Sequence, residues 1–441
     1  MRRVLTRAAA IAAVLLPMLD GCTVVAGLGD SKEPPDGGTT SSGSSSGSTI
    51  GDADIPEDAS GPPLQPFAIA VGGTHACALL NGPSGQPSGV VRCWGSNQQG
   101  ELGADPTSAP ESPLPLAVPS VTDARTLALS TGYSCATTSS GNMLCWGAVA
   151  AELPTGMHRT QETPAFEPSY MEVDTGLLDM VQAASVGPAG GAVLTSSALV
   201  SWGSAMYEQR DSGSGAGSDA GVTLGALGRG AVGRAHACAI TQDMSDVQCW
   251  GDNSHGQCGV SPQGSSFLTY PTWVGLSAMN VGTISDIAAG ADFTCAVTSM
   301  GAVYCWGAND AGQLGNPSAS GDQSTPTQVE LTGFTAQELA LGDKHACVQT
   351  AGFSVHCWGD NSVGQLGLGG ISSYVAKPGN VYVDASTKLE SVVHIAAGGN
   401  TTCATRVTDS SVWCWGANDS GQSGQPSSSM SVVRYATAIS P

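Results

Sequence analysis

The chain has 441 residues with a formal net charge of −21, only 12% charged and 5% aromatic residues, and 60 glycines. Such an acidic chain argues against a nucleic-acid partner, which needs clustered Lys and Arg to neutralise phosphates. Sparse charge with abundant glycine favours short strands and tight turns over long amphipathic helices.

Arg2, Arg3 and Arg7 precede an apolar stretch from Ala8 to Met18. This is the pattern of an export signal, and it is too short for a stable membrane span. The stretch ends in Leu19-Asp20-Gly21-Cys22, which resembles the lipobox of bacterial lipoproteins. The resemblance implies removal of residues 1–21 and lipidation of Cys22, which then becomes the first residue. A plain cleaved signal with an incidental cysteine is the alternative, and Asp20 is unusual in such a box. From Asp30 to Pro63 the composition turns to Ser, Gly, Thr, Asp and Pro. Such a segment buries too little apolar area to offset its conformational entropy, so 22–66 is expected to be a flexible tether. Its typical end-to-end distance is roughly 30 Å.

A Trp-Gly pair then recurs at Trp94, Trp146, Trp202, Trp250, Trp306, Trp358 and Trp415, about every 50 residues. A period of that size means one supersecondary unit per repeat. Each unit opens with a short apolar strand such as Ile287-Ala288-Ala289-Gly290. Seven positions before the place of the first cysteine stands a small residue: Ala70, Ala128, Ser185, Ala231, Ala288, Ala340 or Ala396. A small side chain at one fixed position suits the innermost strand of a propeller blade, where sheets converge on an axis.

A hairpin follows. In Cys295 to Cys305, pairing Thr298 with Ala302 places the two cysteines opposite each other, within disulfide reach. The same phase gives six pairs: Cys77–Cys93, Cys135–Cys145, Cys238–Cys249, Cys295–Cys305, Cys347–Cys357 and Cys403–Cys414. The third repeat has Ala192 and Ser201 instead, both partners missing together, as expected of a bond. Disulfides need an oxidising compartment, in agreement with export. The Trp after each second cysteine faces away from the bond and can fill the wedge between blades.

After Trp-Gly comes a turn phrase, as in Asn309-Asp310-Ala311-Gly312-Gln313-Leu314-Gly315. This WGxNxxGQLG pattern resembles the RCC1 repeat, across residues 67–441. The resemblance implies an all-β, seven-bladed β-propeller. Founding members of that family exchange nucleotide on a small GTPase and dock on nucleosomes. Neither activity transfers here, because the tail is Ser/Gly/Asp-rich and no exchange residue maps by motif. A secreted propeller of the same family that covers β-lactamases with one face is a nearer analogy, resting on fold alone.

Residues able to carry chemistry are few. Asp360-Asn361-Ser362-Val363-Gly364 faintly looks like a calcium loop, but it lacks the alternating acids and the distal Glu, and it recurs as a turn. His75, His236 and His345 share a phase with Tyr133, Phe293 and Thr401, which marks a place for bulk. Cys258 stands where other repeats have Leu102, Leu314 and Leu366, the place of a buried small hydrophobe. Repeats two and three lose the turn phrase. Off-phase aromatics Phe166, Tyr170, Tyr207, Tyr270 and Trp273 are the candidate partner-binding residues, with drift and outer-strand packing as the plainer reading.

The expectation is a monomeric protein-binding module on the bacterial cell envelope, an inhibitor or scaffold without catalysis or cofactor. Its partner would be an envelope or secreted protein, and its membrane contact the lipid alone. Outer membrane or cell surface is favoured over inner membrane, because Thr23 follows the lipid cysteine. An enzyme with a site at the channel mouth, or a matrix component, are the alternatives.

Overall fold

A computed structural model describes residues 65–81, 89–119, 121–148, 157–159, 169–173, 181–188, 190–195, 198–202, 222–225, 227–262 and 266–439. The expected signal and most of the tether, with Cys22, Phe166 and Tyr207, lie outside them.

Six sheets are regular four-stranded blades, each an antiparallel up-and-down run in chain order. They span residues 65–117, 181–225, 227–273, 284–328, 336–380 and 392–439. The sheet of the second repeat departs from this plan and corrects the expectation of a seven-bladed propeller to six regular blades and one irregular sheet. It has five strands, with Ser169–Val173 beside Met143–Gly147 and Met157–Arg159 added at the edge. The sequence reason is the lost turn phrase: the connection after Gly147 is long enough to supply an extra strand. Sheets are numbered here by their order along the chain.

The innermost strands touch in cyclic order, and that of the last sheet lies against that of the first. They surround a channel of about 330 Å³, lined among others by Gly72, Ser130, Gly187, Gly233, Gly290, Gly342 and Gly398, one from each sheet. At this end the chain turns from inner to second strand, and neighbouring turns bond each other. Arg234 N donates to Ala291 O (3.1 Å), Ala291 N to Asp343 O (3.2 Å) and Asp343 N to Gly399 O (2.8 Å). The turn phrases lie at this same end, since each Trp-Gly pairs with the start of the second strand. The opposite end carries the hairpin tips between second and third strands, together with the sheet-to-sheet connections.

All six cysteine pairs are directly opposed in register and disulfide-bonded, with Cα atoms 4.0–4.1 Å apart. The small inner-strand residue faces the first cysteine of each pair, for example Ala288 opposite Cys295 and Ala340 opposite Cys347. Its size is therefore set by the disulfide beside it as well as by convergence on the axis. In the third sheet Ala192 faces Ser201, and Ser185 faces Ala192.

The hydrophobic cores lie between sheets. Five seams repeat one arrangement, in which the disulfide of one sheet shares a core with the tryptophan of the next. Cys295–Cys305 lies with Trp358, Cys347–Cys357 with Trp415, Cys77–Cys93 with Trp146 and Cys238–Cys249 with Trp306. Cys403–Cys414 shares a core with Trp94, which closes the ring. At the seam between third and fourth sheets Ala192 and the partly buried Leu194, with no disulfide among the described residues, share the core of Trp250. Among the described residues the glycine after each repeat Trp has a left-handed φ, 106° at Gly307 and 103° at Gly359, where the third and fourth strands shift register. A side chain is strained there, so Trp-Gly is a backbone requirement as much as a packing one. The expected final strand, Val432–Ile439, is the outer strand of the last sheet.

Candidate functional site

The turn phrase is a self-satisfying knot. Asn309 Oδ1 accepts from Leu314 N (3.2 Å), and its Nδ2 donates to Ala319 O (3.0 Å). Gln313 Oε1 accepts from Ala311 N (2.8 Å). Asn361 and Gln365 repeat these bonds, and Asp360 is filled by Ser362 and by Gln365 Nε2. The carboxylate that looked like part of a calcium loop is thus spent on its own turn. Among the described residues no group of three or more His, Cys, Asp or Glu could hold a metal ion.

The carbonyl of the phrase's Gln or Glu then receives the next sheet's tryptophan. Trp146 Nε1 donates to Glu101 O (2.8 Å), Trp306 to Gln257 O (2.9 Å), Trp358 to Gln313 O (2.9 Å) and Trp415 to Gln365 O (2.9 Å). Trp94 reaches Gln422 O (3.0 Å) across the closure. Trp250 follows the third repeat, one of the two that lack the phrase, and among the described residues its buried Nε1 has no partner. A buried unsatisfied donor costs about 1–3 kcal/mol. Trp250→Phe should therefore leave the melting temperature unchanged or raise it, whereas Trp306→Phe should lower it. Equal losses in paired thermal melts would refute this.

The histidines complete the latch. Ser134 Oγ donates to Glu101 O (3.0 Å), so it accepts from His75 Nε2 (2.7 Å). His236 meets Thr294 (2.9 Å), which donates to Gln257 O, and His345 meets Thr402 (2.8 Å), which donates to Gln365 O. The proton is thereby fixed on Nε2, and each buried Nδ1 has no partner among the described residues. Burial drives the pKa to about 3 for His75 and His345 and about 4 for His236. A Cβ at Gly342 would collide with the His345 ring, and one at Gly290 with Phe293. These positions take bulk in neutral form.

Cys258 is fully buried and unbonded to sulfur, with Sγ 3.3 Å from the Asp252 carbonyl. Burial pushes its thiol well up, the opposite of what a nucleophile needs.

A cluster missed in the sequence lies on four successive inner strands, each member four residues before a channel-lining glycine: Arg229, Asp286, Glu338 and His394. Arg229 pairs with Asp286 (3.1 Å), and Asp286 Oδ2 accepts from Leu339 N (3.3 Å). Glu338 Oε2 accepts from Ile395 N (3.0 Å), and Oε1 lies 3.4 Å from His394 Nδ1. Burial raises Asp286 to about 6 against the pull of Arg229, and the Glu338 hydrogen bond raises His394. The shared phase was readable, since the other sheets have Ala68, Thr126 and Ala183 there. The carboxylates, however, serve backbone N–H groups of the neighbouring sheet. They act first as ties between blades.

With this geometry in view, the family comparisons have a structural meaning. Models of the regulator of chromosome condensation (RCC1) repeat match residues 230–257, 284–313 and 392–422 in one version. A second version matches 246–297, 300–349 and 354–405. The chain carries RCC1 repeats. Human E3 ubiquitin-protein ligase HERC2 is 27% identical over 349 residues, covering 76% of this chain but 7% of HERC2. The ultraviolet-B receptor UVR8 of Arabidopsis thaliana is 30% identical over 200 residues, 44% of this chain and 42% of the receptor. The chain thus spans under half the length of these curated relatives. Among solved structures, yeast RCC1 (Prp20) bound to Kap60 superposes with TM-score 0.64 at 17% identity, over 79% of this chain and 83% of that one. Human WBSCR16 gives 0.66 at 19%, over 80% and 95%. At such identities the likeness concerns the propeller fold.

On this RCC1-type propeller the candidate aromatics do not form one described site. Tyr270 and Trp273 lie on Phe267–Trp273, the outer strand of the fourth sheet, and are 77% and 57% exposed. That strand is the plainer alternative weighed for them, yet both rings stand in solvent. Tyr170 pairs by its backbone with Leu144 in the irregular second sheet. Near the channel, Arg234 pairs with Asp292 (3.3 Å) and Lys344 with Asp310, while burial raises the Asp343 carboxyl.

Proposed function

We propose that this RCC1-repeat chain is a non-catalytic protein-binding module, an inhibitor or scaffold, held at the bacterial cell envelope by lipid on Cys22. The observation that carries the reading is how the repeat spends its polar side chains. The Asn, Gln, His and most of the Trp groups bond to one another and to backbone within the ring, leaving a rigid body whose distinctive exposed groups are apolar. A rigid scaffold presenting aromatic and aliphatic anchors is the usual basis of protein recognition. The finer fold reading counts the five-stranded sheet as a seventh, irregular blade, since its inner strand lines the channel with the others. Prp20p is described as binding Gsp1p and histones, and a protein partner of other identity is what we carry over. That partner would be an envelope or secreted protein, met by a monomer at the outer membrane or cell surface.

A second reading has one observation in its favour. Glu338 and His394 share a hydrogen bond, Asp286 lies on the strand before them, and Asp286 and His394 have displaced pKa values. Perturbed groups mark active sites, but structural ion-pair networks perturb pKa values too.

The test immobilises the full chain and challenges it with envelope and medium fractions of the native cell. A control carries Ala at Phe166, Tyr170, Tyr207, Tyr270 and Trp273. One saturable protein retained by the native chain supports a binding module, and its loss in the control places the site on these aromatics. Nothing retained above background overturns the reading.

A further inference from the structure

The hairpin tips at the end opposite the turn phrases carry large apolar side chains in four successive sheets. Met244, Met300, Phe353 and Val407 are 44%, 78%, 50% and 64% exposed. Three of these tips are tied to the entry of the next sheet by backbone bonds: Met244 O accepts from Ile284 N, Gly301 O from Ala336 N and Phe353 O from Val392 N. The fourth tip is tied through Val407 N, which donates to Ser391 O. The tips are thus fixed in place.

Two of the four also sit in an unfavourable backbone conformation. Met244 has φ 56° and Phe353 φ 59°, at the turn position that Gly141 (80°) and Gly301 (77°) occupy in other sheets. In each case the residue's N–H donates to the carbonyl three residues back, so the places are equivalent. A non-glycine residue there costs roughly 1–2 kcal/mol. Exposure of a large apolar side chain earns nothing in the folded monomer. A strained and exposed hydrophobe in place of glycine is therefore unexplained by folding.

Charge indicates what covers these tips. Asp243 adjoins Met244, and hydrogen bonds from Thr241 and Ser245 hold its carboxyl below the usual range. Asp384, on the connection leading to the seventh sheet, is held at about 2 by the Ser386 and Thr387 backbone. Both stay ionised. Nearby Arg406 is taken by Asp409 (3.1 Å) and Arg229 by Asp286, and Lys388 on the connection that bears Asp384 is outnumbered there by Asp384 and Glu390. Apolar tips among fixed anionic charge, on a chain of net charge −21, complement a basic partner.

We propose that the Met244–Met300–Phe353–Val407 tips form a docking surface for a basic, amphipathic segment of a partner protein. This rests on the protein-binding reading and assigns it an end of the propeller and a partner chemistry. The test uses the full chain and a labelled 18-residue Leu/Lys amphipathic helix as probe. A Leu/Glu helix of the same apolar pattern and phosphatidylcholine vesicles, with and without phosphatidylglycerol, serve as comparators. The variant Met244→Gly/Met300→Ser/Phe353→Gly/Val407→Ser leaves every charge in place, and its two glycines relieve strain. We expect it to melt no lower than the native chain yet to bind the Leu/Lys helix at least tenfold more weakly. Undiminished binding overturns the proposal, as does equal affinity for the Leu/Glu helix. Tip-dependent binding to vesicles overturns it in favour of a membrane surface. If the variant still captures the native partner, the docking surface falls while the binding module stands.

Discussion

Lowering the pH from 7 to 4.5 is expected to destabilise the folded ring steeply, through three buried histidines. His75, His236 and His345 have folded pKa values of about 3, 4 and 3, against 6.5 for a free imidazole. Below pH 6.5 the unfolded chain takes up protons that the folded chain refuses. Stability present above pH 6.5 is therefore lost as pH falls toward the folded values. Each unit of separation is worth about 1.4 kcal/mol, so each ring contributes on the order of 3 kcal/mol by pH 4. Three such losses approach the whole stability of a typical domain. Asp286 and His394 act with the opposite sign, since their folded values are raised. Their contributions are present in acid and fade as pH rises through the folded values. Phe293 already fills the same place in the fifth sheet. The variant His75→Phe/His236→Phe/His345→Phe should therefore lose much less melting temperature between pH 7 and 4.5 than the native chain, the remainder falling on His356, which burial and then Lys388 lower to about 4. A native melting temperature that ignores this pH change would show that the rings do not carry the acid sensitivity.

The second large effect concerns the cross-strand bonds. Each closes a loop of 10–16 residues, worth about 2.5–3 kcal/mol in a chain-entropy account whose mechanism is debated. Replacing Cys347 and Cys357 together by Ala should cost about that much, with a drop of several degrees in melting temperature. The third sheet offers the reverse experiment. Ala192 and Ser201 are directly opposed and buried, in the register that holds the other pairs. Ala192→Cys/Ser201→Cys should form a further disulfide and raise the melting temperature by a comparable amount. Peptide mapping without reduction reads the bond. Free thiols at 192 and 201, or a lower melting temperature, would mean that this seam differs from the others by more than two missing sulfurs.

The bonds, strands and wedge tryptophans were legible because each is local. Two cysteines ten residues apart across a turn define a register, and a register defines which side chains share a face. What stayed hidden depends on which residue of one repeat meets which residue of the next. The His345–Thr402 bond joins positions 57 residues apart, and nothing in either repeat names its partner. The Arg229–Asp286–Glu338–His394 cluster has a common phase, yet only a closed ring turns that phase into neighbours. The apolar tips were obscured differently. The turn at Met244 is one residue longer than that at Phe353, pairing Thr241 with Asp246 rather than Thr350 with Ser354. Simple spacing therefore does not align the two. Among the aromatics singled out by being off-phase, Tyr270 and Trp273 are exposed on an outer strand, where Trp273 pairs with Gln248 near the end that carries the tips.

None of the six disulfides crosses a seam. Under a pull applied to the two ends, the blades would behave as knotted beads on a cord. The junction of first and last blades, joined by the Trp94–Gln422 and Ser427–Glu111 hydrogen bonds and by side-chain packing, can part without breaking a covalent bond. Each bead would then come free in turn, and in six of the seven sheets the 10–16 residues inside the bond would stay closed. A ring pulled at its two ends would lengthen blade by blade and, with its hairpins still closed, could recoil into a ring.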